Sequence, residues 1–271
     1  MIFPATGKER NIMVFFGKSD VGMRRTVNQD IFACMRIWGG EAVLLAVCDG
    51  MGGHKAGEIA SQKAISVFSD NIVGNPCIDD DPEKVCTYMR KRMYLAAYAA
   101  NKAVYEMSNR FEELSGMGTT LVAAIIYGGV VYVINVGDSR AYIVSSREAL
   151  QITRDHSFIQ YLINEKKLTE EEAKYYPHKN VITRAIGIND TIEVDFIHAN
   201  LRTWGTGYIL LCSDGLTNYA DKSDLVSIIA PQTKADRASP EGELARKTDR
   251  LIAFANKKGG GDNITAVLAK F

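Results

Sequence analysis

The chain has 271 residues, 46% of them apolar, and 32 Lys plus Arg balance 32 Asp plus Glu. Such a chain supports a sizeable core; with zero net charge and no basic run it offers no footing for nucleic acid or another polyanion. No apolar run reaches the roughly 18–20 residues of a membrane span, and the N-terminus lacks the pattern of a secretory signal.

A first strand is expected at 12–16, with 17–20 as the turn after it. Arg24-Arg25-Thr26-Val27-Asn28-Gln29-Asp30 follows. Its plain reading is a solvated turn, and its sharper one a guanidinium fork for an oxyanion such as phosphate. After a strand at 31–37, the apolar run Val43 to Cys48 ends in Asp49, and Gly50, Gly52 and Gly53 come within four positions. This reads as a buried strand delivering a carboxylate into an opening where backbone can approach closely. A helix is expected at about 55–70. Asp79-Asp80-Asp81-Pro82 then starts a helix running to about 111. Its Val85, Met89, Met93, Ala96, Ala100, Ala103 and Met107 read as a packing stripe.

The period then changes to two. Strands at 119–127 and 130–136 are joined by Gly128-Gly129, a hairpin signal, and short strands follow at 140–145 and 150–153. Asp155-His156-Ser157 precedes a polar helical pair at 157–165 and 169–175, the second opened by a capping box from Thr169 to Glu172. This segment, to about 180, reads either as a flap beside a site or as a passive insertion. Strands are expected at 192–198 and 207–212, helices at 221–230 and 241–257, and a last strand at 264–271. Strands cluster, then helices, then strands again, without the alternation of a doubly wound parallel sheet. An α+β fold, a largely antiparallel sandwich flanked by helices, fits better. No linker-like stretch divides the chain, so residues 1–271 are expected to form a single domain.

Two more apolar runs repeat the plan of Asp49: Val130 to Gly137 ends at Asp138, and Tyr208 to Ser213 ends at Asp214. Asp262, after Gly259-Gly260-Gly261, precedes a strand. Carboxylates at strand ends can converge on one rim of a sheet, and converging like charges need cations. The four His are too scattered for a zinc set; His54 is kept as a candidate proton carrier. The five Cys have no framework spacing and fit a reducing, cytoplasmic setting. No Gly-x-Ser-x-Gly, Walker loop or Cys/His nucleophile pattern occurs, so any chemistry is metal-led.

Taken in order, Arg25…Asn28-Gln29-Asp30, Asp49-Gly50-Met51-Gly52-Gly53-His54, Gly116-Met117-Gly118-Thr119-Thr120, Gly137-Asp138-Ser139-Arg140, Asp155-His156-Ser157, Val181 to Gly187, Ser213-Asp214-Gly215-Leu216 and Asp262-Asn263-Ile264-Thr265 carry a resemblance over nearly the whole chain. The set resembles the metal-dependent protein phosphatases of the protein phosphatase 2C family, most of all the bacterial serine/threonine members. The resemblance implies a four-layer α/β/β/α sandwich with a metal site at one end. It also implies hydrolysis of phosphoserine and phosphothreonine by a hydroxide bridging two Mn²⁺ or Mg²⁺ ions. On that match Asp49 bridges both ions, the Gly50 carbonyl ligates one, and Asp214 and Asp262 ligate the other. In bacterial relatives a third ion lies between the residues matching Asp138 and Asp214. Arg25 matches the phosphate-binding arginine, so Arg25, Asp49 and Asp214 are the expected catalytic residues, and 157–180 matches the flap.

The partners implied are phosphorylated proteins and a cognate Ser/Thr kinase, with no nucleic acid and no membrane; a monomer is expected. The chain departs from the family pattern twice. Gln29 stands where many members carry Glu, which leaves carboxylate support behind the ligands to Asp30. Met51 stands where eukaryotic members place an acid His directly after Asp-Gly, so that role is not transferred to His54. Two other readings are a weakly catalytic phosphoprotein binder, opposed by the full set of core metal positions, and a phosphatase of small phosphomonoesters.

Overall fold

Two antiparallel sheets lie face to face. In one, β1 (Val14–Asp20), β11 (Ile264–Lys270), β10 (Tyr208–Cys212), β7 (Arg140–Val144) and β8 (Ala149–Gln151) are neighbours in that order. In the other the order is β2 (Asp30–Ile37), β3 (Ala42–Met51), β5 (Leu121–Tyr127), β6 (Val130–Val136) and β9 (Asp195–Asn200), with the short β4 (Gly118–Thr119) beside the end of β3. The computed structural model describes residues 13–271 except 54, 75, 78, 80, 174–175, 177–180, 235 and 237–238, and not the side chains of 170 and 241.

Alternation along the strands divides the apolar residues among three cores. Val43, Leu45, Val47, Val122, Val133, Ile143, Leu211 and Val267 fill the space between the sheets. The opposite faces of the same strands, through Leu44, Ala46, Ala123, Ile125 and Ile134, pack on helices α1 (Ala56–Val73) and α2 (Pro82–Arg110). Between β8 and β9 the chain forms two short helices, α3 (Phe158–Asn164) and α4 (Glu170–Ala173), and the single turn α5 (Asp214–Thr217) follows β10. On the far side Leu210, Cys212, Ala266 and Leu268 pack on α6 (Lys222–Ile229) and α7 (Pro240–Lys257). The four-layer α/β/β/α sandwich follows, because a strand buried on both faces needs a layer on each.

The helix starts behave as their sequences indicate. The Asp81 carboxylate accepts from the Glu83 and Lys84 amides with Pro82 in the first turn of α2, and Thr169 and Glu172 cap each other reciprocally at 2.8 and 3.3 Å. The hairpin glycines Gly128 and Gly129 sit at φ +60° and +80°, the left-handed pair a two-residue turn requires.

Four expectations are corrected. Residues 17–20 are not a turn: β1 pairs with β11 as far as Asp20↔Ile264. Gly17 stands there because the Phe32 ring crosses it, and a Cβ would lie 2.4 Å from that ring. The strand expected at 119–127 is broken at Thr120, whose hydroxyl accepts from the Asp49 amide of β3. The strand expected at 192–198 begins only at Asp195. On α2 the buried stripe drifts from Ala103 and Met107 to Val104 and Ser108, because a spacing of 3.5 residues slips around a helix of 3.6 per turn.

Candidate active site

One end of the sandwich collects the carboxylates. Asp49 lies two residues before the end of β3, Asp138 follows β6, Asp214 opens α5 after β10, and Asp262 precedes β11. With Arg25, Gln29, Gly50, Met51, Gly52, Thr120, Ile182 and Asn263 they line a cleft of about 300 Å³. All the residues the sequence nominates for metal or phosphate are therefore brought together. His54 lies outside the described residues. A larger cavity, about 660 Å³, opens at the other end, where β3 begins; its walls carry Arg36, Arg202 and one acid, Glu41, and so lack a carboxylate cluster.

The local sequence explains how so many backbones meet. Glycines follow Asp49 and Asp214 because other chain segments lie where a side chain would be. A Cβ on Gly50 would stand 2.1 Å from the Gly57 carbonyl oxygen of α1, and one on Gly215 would stand 1.9 Å from the Asn263 carbonyl oxygen. Gly215→Ala is expected to cost roughly 3 kcal/mol or more, the range of strained or overpacked substitutions, read as a lower urea midpoint at unchanged slope.

Hydroxyls and amides that the sequence reading gave no role hold the acids in place. Thr119 Oγ1 donates to the Asp49 carbonyl at 2.8 Å, and Thr120 Oγ1 accepts from the Asp49 amide at 2.9 Å while pairing with Ser139 Oγ at 2.7 Å. Asp30, the cross-strand partner of Asp49, is buried behind it and accepts from Ser213 Oγ and Thr265 Oγ1, each at 2.7 Å. Asn263 takes the Gln29 amide on its Oδ1 and donates to the Val21 and Val27 carbonyls. It thereby pins the loop that carries Arg25. The signal for these residues was present, since each small polar residue flanks an Asp motif, but only the pairing of strands distant in sequence shows what each one touches.

Arg25 follows a turn, half-exposed, and lies among the residues that line the cleft. Its Nη2 donates to Asp262 Oδ2 at 2.9 Å, at the mouth of the cleft. Gln29 contributes through its backbone, whose carbonyl accepts from the Gly50 amide at 3.1 Å and from Ser61 Oγ at 2.7 Å. Ile182, in the return from the 157–180 segment, is bridged to Ser157 and lines the cleft. The root of that segment therefore borders the site.

The acids strain one another electrostatically. Burial, followed by the charges of Asp30, Asp214, Asp138 and Asp262, holds Asp49 well above the ordinary carboxylate range. Burial, with Asp214 nearby, pushes Asp138 up to about 7. Burial also pushes Asp30 up to about 7, against the two hydroxyl hydrogen bonds that favour its charge. Asp214 is raised by burial and by Asp262, against the Asn218 amide that favours its charge. Asp30 Oδ1 and Asp214 Oδ1 are buried with no donor aimed at them. Converging acids with orphaned oxygens are the donor set of a hard divalent cation. Among the described residues no three His, Cys, Asp or Glu side chains close into a cage. The spread along a cleft suits ions that keep several waters and take one or two carboxylates each.

Fold and cleft together define a class: an antiparallel α/β/β/α sandwich with a polyacidic, arginine-edged site for divalent ions at one end. Comparison with known proteins agrees. The family model of protein phosphatase 2C matches residues 23–248. The chain is 37% identical to the serine/threonine phosphatase stp of Listeria welshimeri over 227 residues, 84% of each protein. It is also 37% identical to the protein phosphatase PhpP of Streptococcus pneumoniae over 253 residues, 92% of this chain and 94% of PhpP. The catalytic domain of the serine/threonine protein phosphatase PstP, solved in complex with two manganese ions, superposes with a TM-score of 0.76 at 30% identity, covering 95% of this chain and 97% of that one. The chain belongs to the protein phosphatase 2C family.

Proposed function

We propose that this protein is a metal-dependent serine/threonine protein phosphatase, and that residues 1–271 act as one catalytic domain. The observation that carries the reading is the convergence of Asp49, Asp138, Asp214 and Asp262, with Arg25, on one cleft. The similarity to proteins named serine/threonine phosphatase supports it. Asp49, the Gly50 carbonyl, Asp214 and Asp262 would hold two Mn²⁺ or Mg²⁺ ions, with Asp138 and Asp214 for a third. Bound there, such ions supply Lewis acidity toward phosphoryl oxygens and lower the pKa of water.

The chain's own groups do the rest. Arg25 spends one donor on Asp262 and keeps others for a phosphoryl oxygen, where its fork fixes orientation. Asp30 supports Asp49 from behind. Among the residues lining the cleft Thr120 alone carries a hydroxyl, and that hydroxyl is occupied by the Asp49 amide and Ser139. The lack of a free hydroxyl there supports attack by an oxygen from solvent, for which no phosphoenzyme is needed. The substrates are phosphorylated proteins, shared with a Ser/Thr kinase. Five free cysteines suit a reducing cytoplasm, and no helix among the described residues is long and apolar enough to cross a membrane.

The test is phosphate release from a phosphothreonine peptide with Mn²⁺, then with chelator. Release that stops on chelation supports the reading. A folded protein that releases nothing with either Mn²⁺ or Mg²⁺ overturns it and brings phosphoprotein binding forward.

A further inference from the structure

Asp155-His156-Ser157 is a motif for which the proposed chemistry has no use, yet Asp155 and His156 are firmly tied to the Asp138 turn. The Asp155 carboxylate receives Arg140 Nε at 3.0 Å on both oxygens and Arg140 Nη2 at 2.6 Å. The His156 amide donates to the Gly137 carbonyl at 2.9 Å, and the Gly137 amide returns a bond to His156 Nδ1 at 3.1 Å. Gly137 and Arg140 are the two ends of Gly137-Asp138-Ser139-Arg140. Asp138 is thus held between two anchor points supplied by one short segment.

The imidazole has a defined state. Nδ1 accepts, so the ring proton sits on Nε2, which faces Asp195 Oδ2 at 3.2 Å, with Arg184 Nη1 3.1 Å from the same nitrogen and bonded to Asp195 Oδ1 at 3.0 Å. His156 is buried, 7% exposed, and Gly137 sits at φ +109°, a conformation open to glycine. The same segment roots the flap: the Thr183 amide donates to the His156 carbonyl at 2.7 Å, and the Phe158 amide to the Val181 carbonyl at 2.8 Å.

We infer that His156 is a positioning residue: through Nδ1 it locks the Gly137 turn, and with Asp155 it aims Asp138 into the cleft while tying that aim to the root of the flap. The inference rests on Asp138 being a cation ligand. Its structural half is independent of that reading.

The test separates the two ring nitrogens. Asn can place an acceptor near the position of Nδ1, and Gln can place a donor near that of Nε2. In metal-free protein, hydrogen–deuterium exchange of the peptide spanning 136–140 is expected to quicken by about tenfold or more in His156→Gln, the effect of losing roughly one hydrogen bond. It should stay near wild type in His156→Asn and in Asp195→Asn. In calorimetric titration with Mn²⁺, His156→Gln should weaken the weakest-bound ion about tenfold, the usual cost of removing support behind a ligand, and leave the tightest unchanged; His156→Asn should restore it. Equal exchange in Gln and Asn variants overturns the lock. Faster exchange with unchanged Mn²⁺ binding overturns the link to Asp138. A wild-type protein that binds no Mn²⁺ overturns the cation-site reading instead and leaves the exchange result to judge the lock. Should His156→Gln not fold, Arg140→Lys loosens the second anchor and is read the same way.

Discussion

Asp214→Asn is expected to lower metal-dependent phosphate release by roughly 10²–10³-fold, the range seen when one preorganised electrostatic contact is removed from a reacting centre. Three features of the residue point this way. It lines the cleft with Asp49, Asp138 and Asp262, its Oδ1 is buried without a donor, and its Oδ2 accepts from Asn218 at 3.1 Å. Asn keeps the size but offers one neutral oxygen where a divalent cation needs charge, and its amide hydrogens point toward acids or ions. Rates from a phosphothreonine peptide over a Mn²⁺ series would settle the role. If the deficit is recovered at high Mn²⁺, Asp214 acts through affinity; if it persists at saturation, Asp214 acts on the reaction itself. An unchanged rate at every Mn²⁺ concentration would remove Asp214 from the site. The fold should survive, because mutual repulsion among the acids falls on neutralisation.

The second large effect is on stability against pH. Asp30 and Asp138 are pushed up to about 7, and Asp49 and Asp214 are raised as well. A carboxyl whose folded pKa lies above its unfolded value binds more protons when folded. Its contribution to stability is therefore fully present below the unfolded pKa of about 4 and is lost as pH rises through the folded value near 7. In chelator, the protein should grow less stable between about pH 5 and pH 8. The total loss should reach several kcal/mol, since each tenfold gain in a carboxyl's proton affinity on folding is worth roughly 1.4 kcal/mol. Saturating Mn²⁺ replaces the protons with a cation that binds only the folded cleft and should add about 2.7 kcal/mol at one hundred times its Kd. Urea midpoints across this range, with and without Mn²⁺, give the answer. A metal-free midpoint that climbs steadily from pH 5 to pH 8 would mean the cleft acids are not mutually strained.

Both effects arise from how far the sandwich forces unlike parts of the sequence together. Asp49 and Asp262 are more than two hundred residues apart, and Arg25 reaches Asp262 across 237 positions. That geometry also sets the economy of the site: β2 and β3 supply Asp30 and Asp49 as direct neighbours, β10 and β11 bring Ser213 beside Thr265, and one hydroxyl from each meets on Asp30.

The class of fold, the strand-terminal acids and the glycines beside them are legible in the linear chain. Those features are local: a six-residue apolar run is buried on both faces wherever it lies, and an Asp closing it must stand at a sheet end. Gly17 is misread from the chain alone, because a glycine in a strand looks like a turn until the ring that crosses it is known. The α2 stripe is placed too far toward Ala103, because a step pattern does not reveal how a long helix rotates against its neighbour. Only the folded chain shows which small polar residues hold which acid, that Thr120 is spent on Asp49 and Ser139, and that Asp155-His156 grips both ends of the Asp138 turn. Those contacts are made between strands paired from distant parts of the chain, and pairing is fixed by the joint burial of whole faces, which no single stretch encodes.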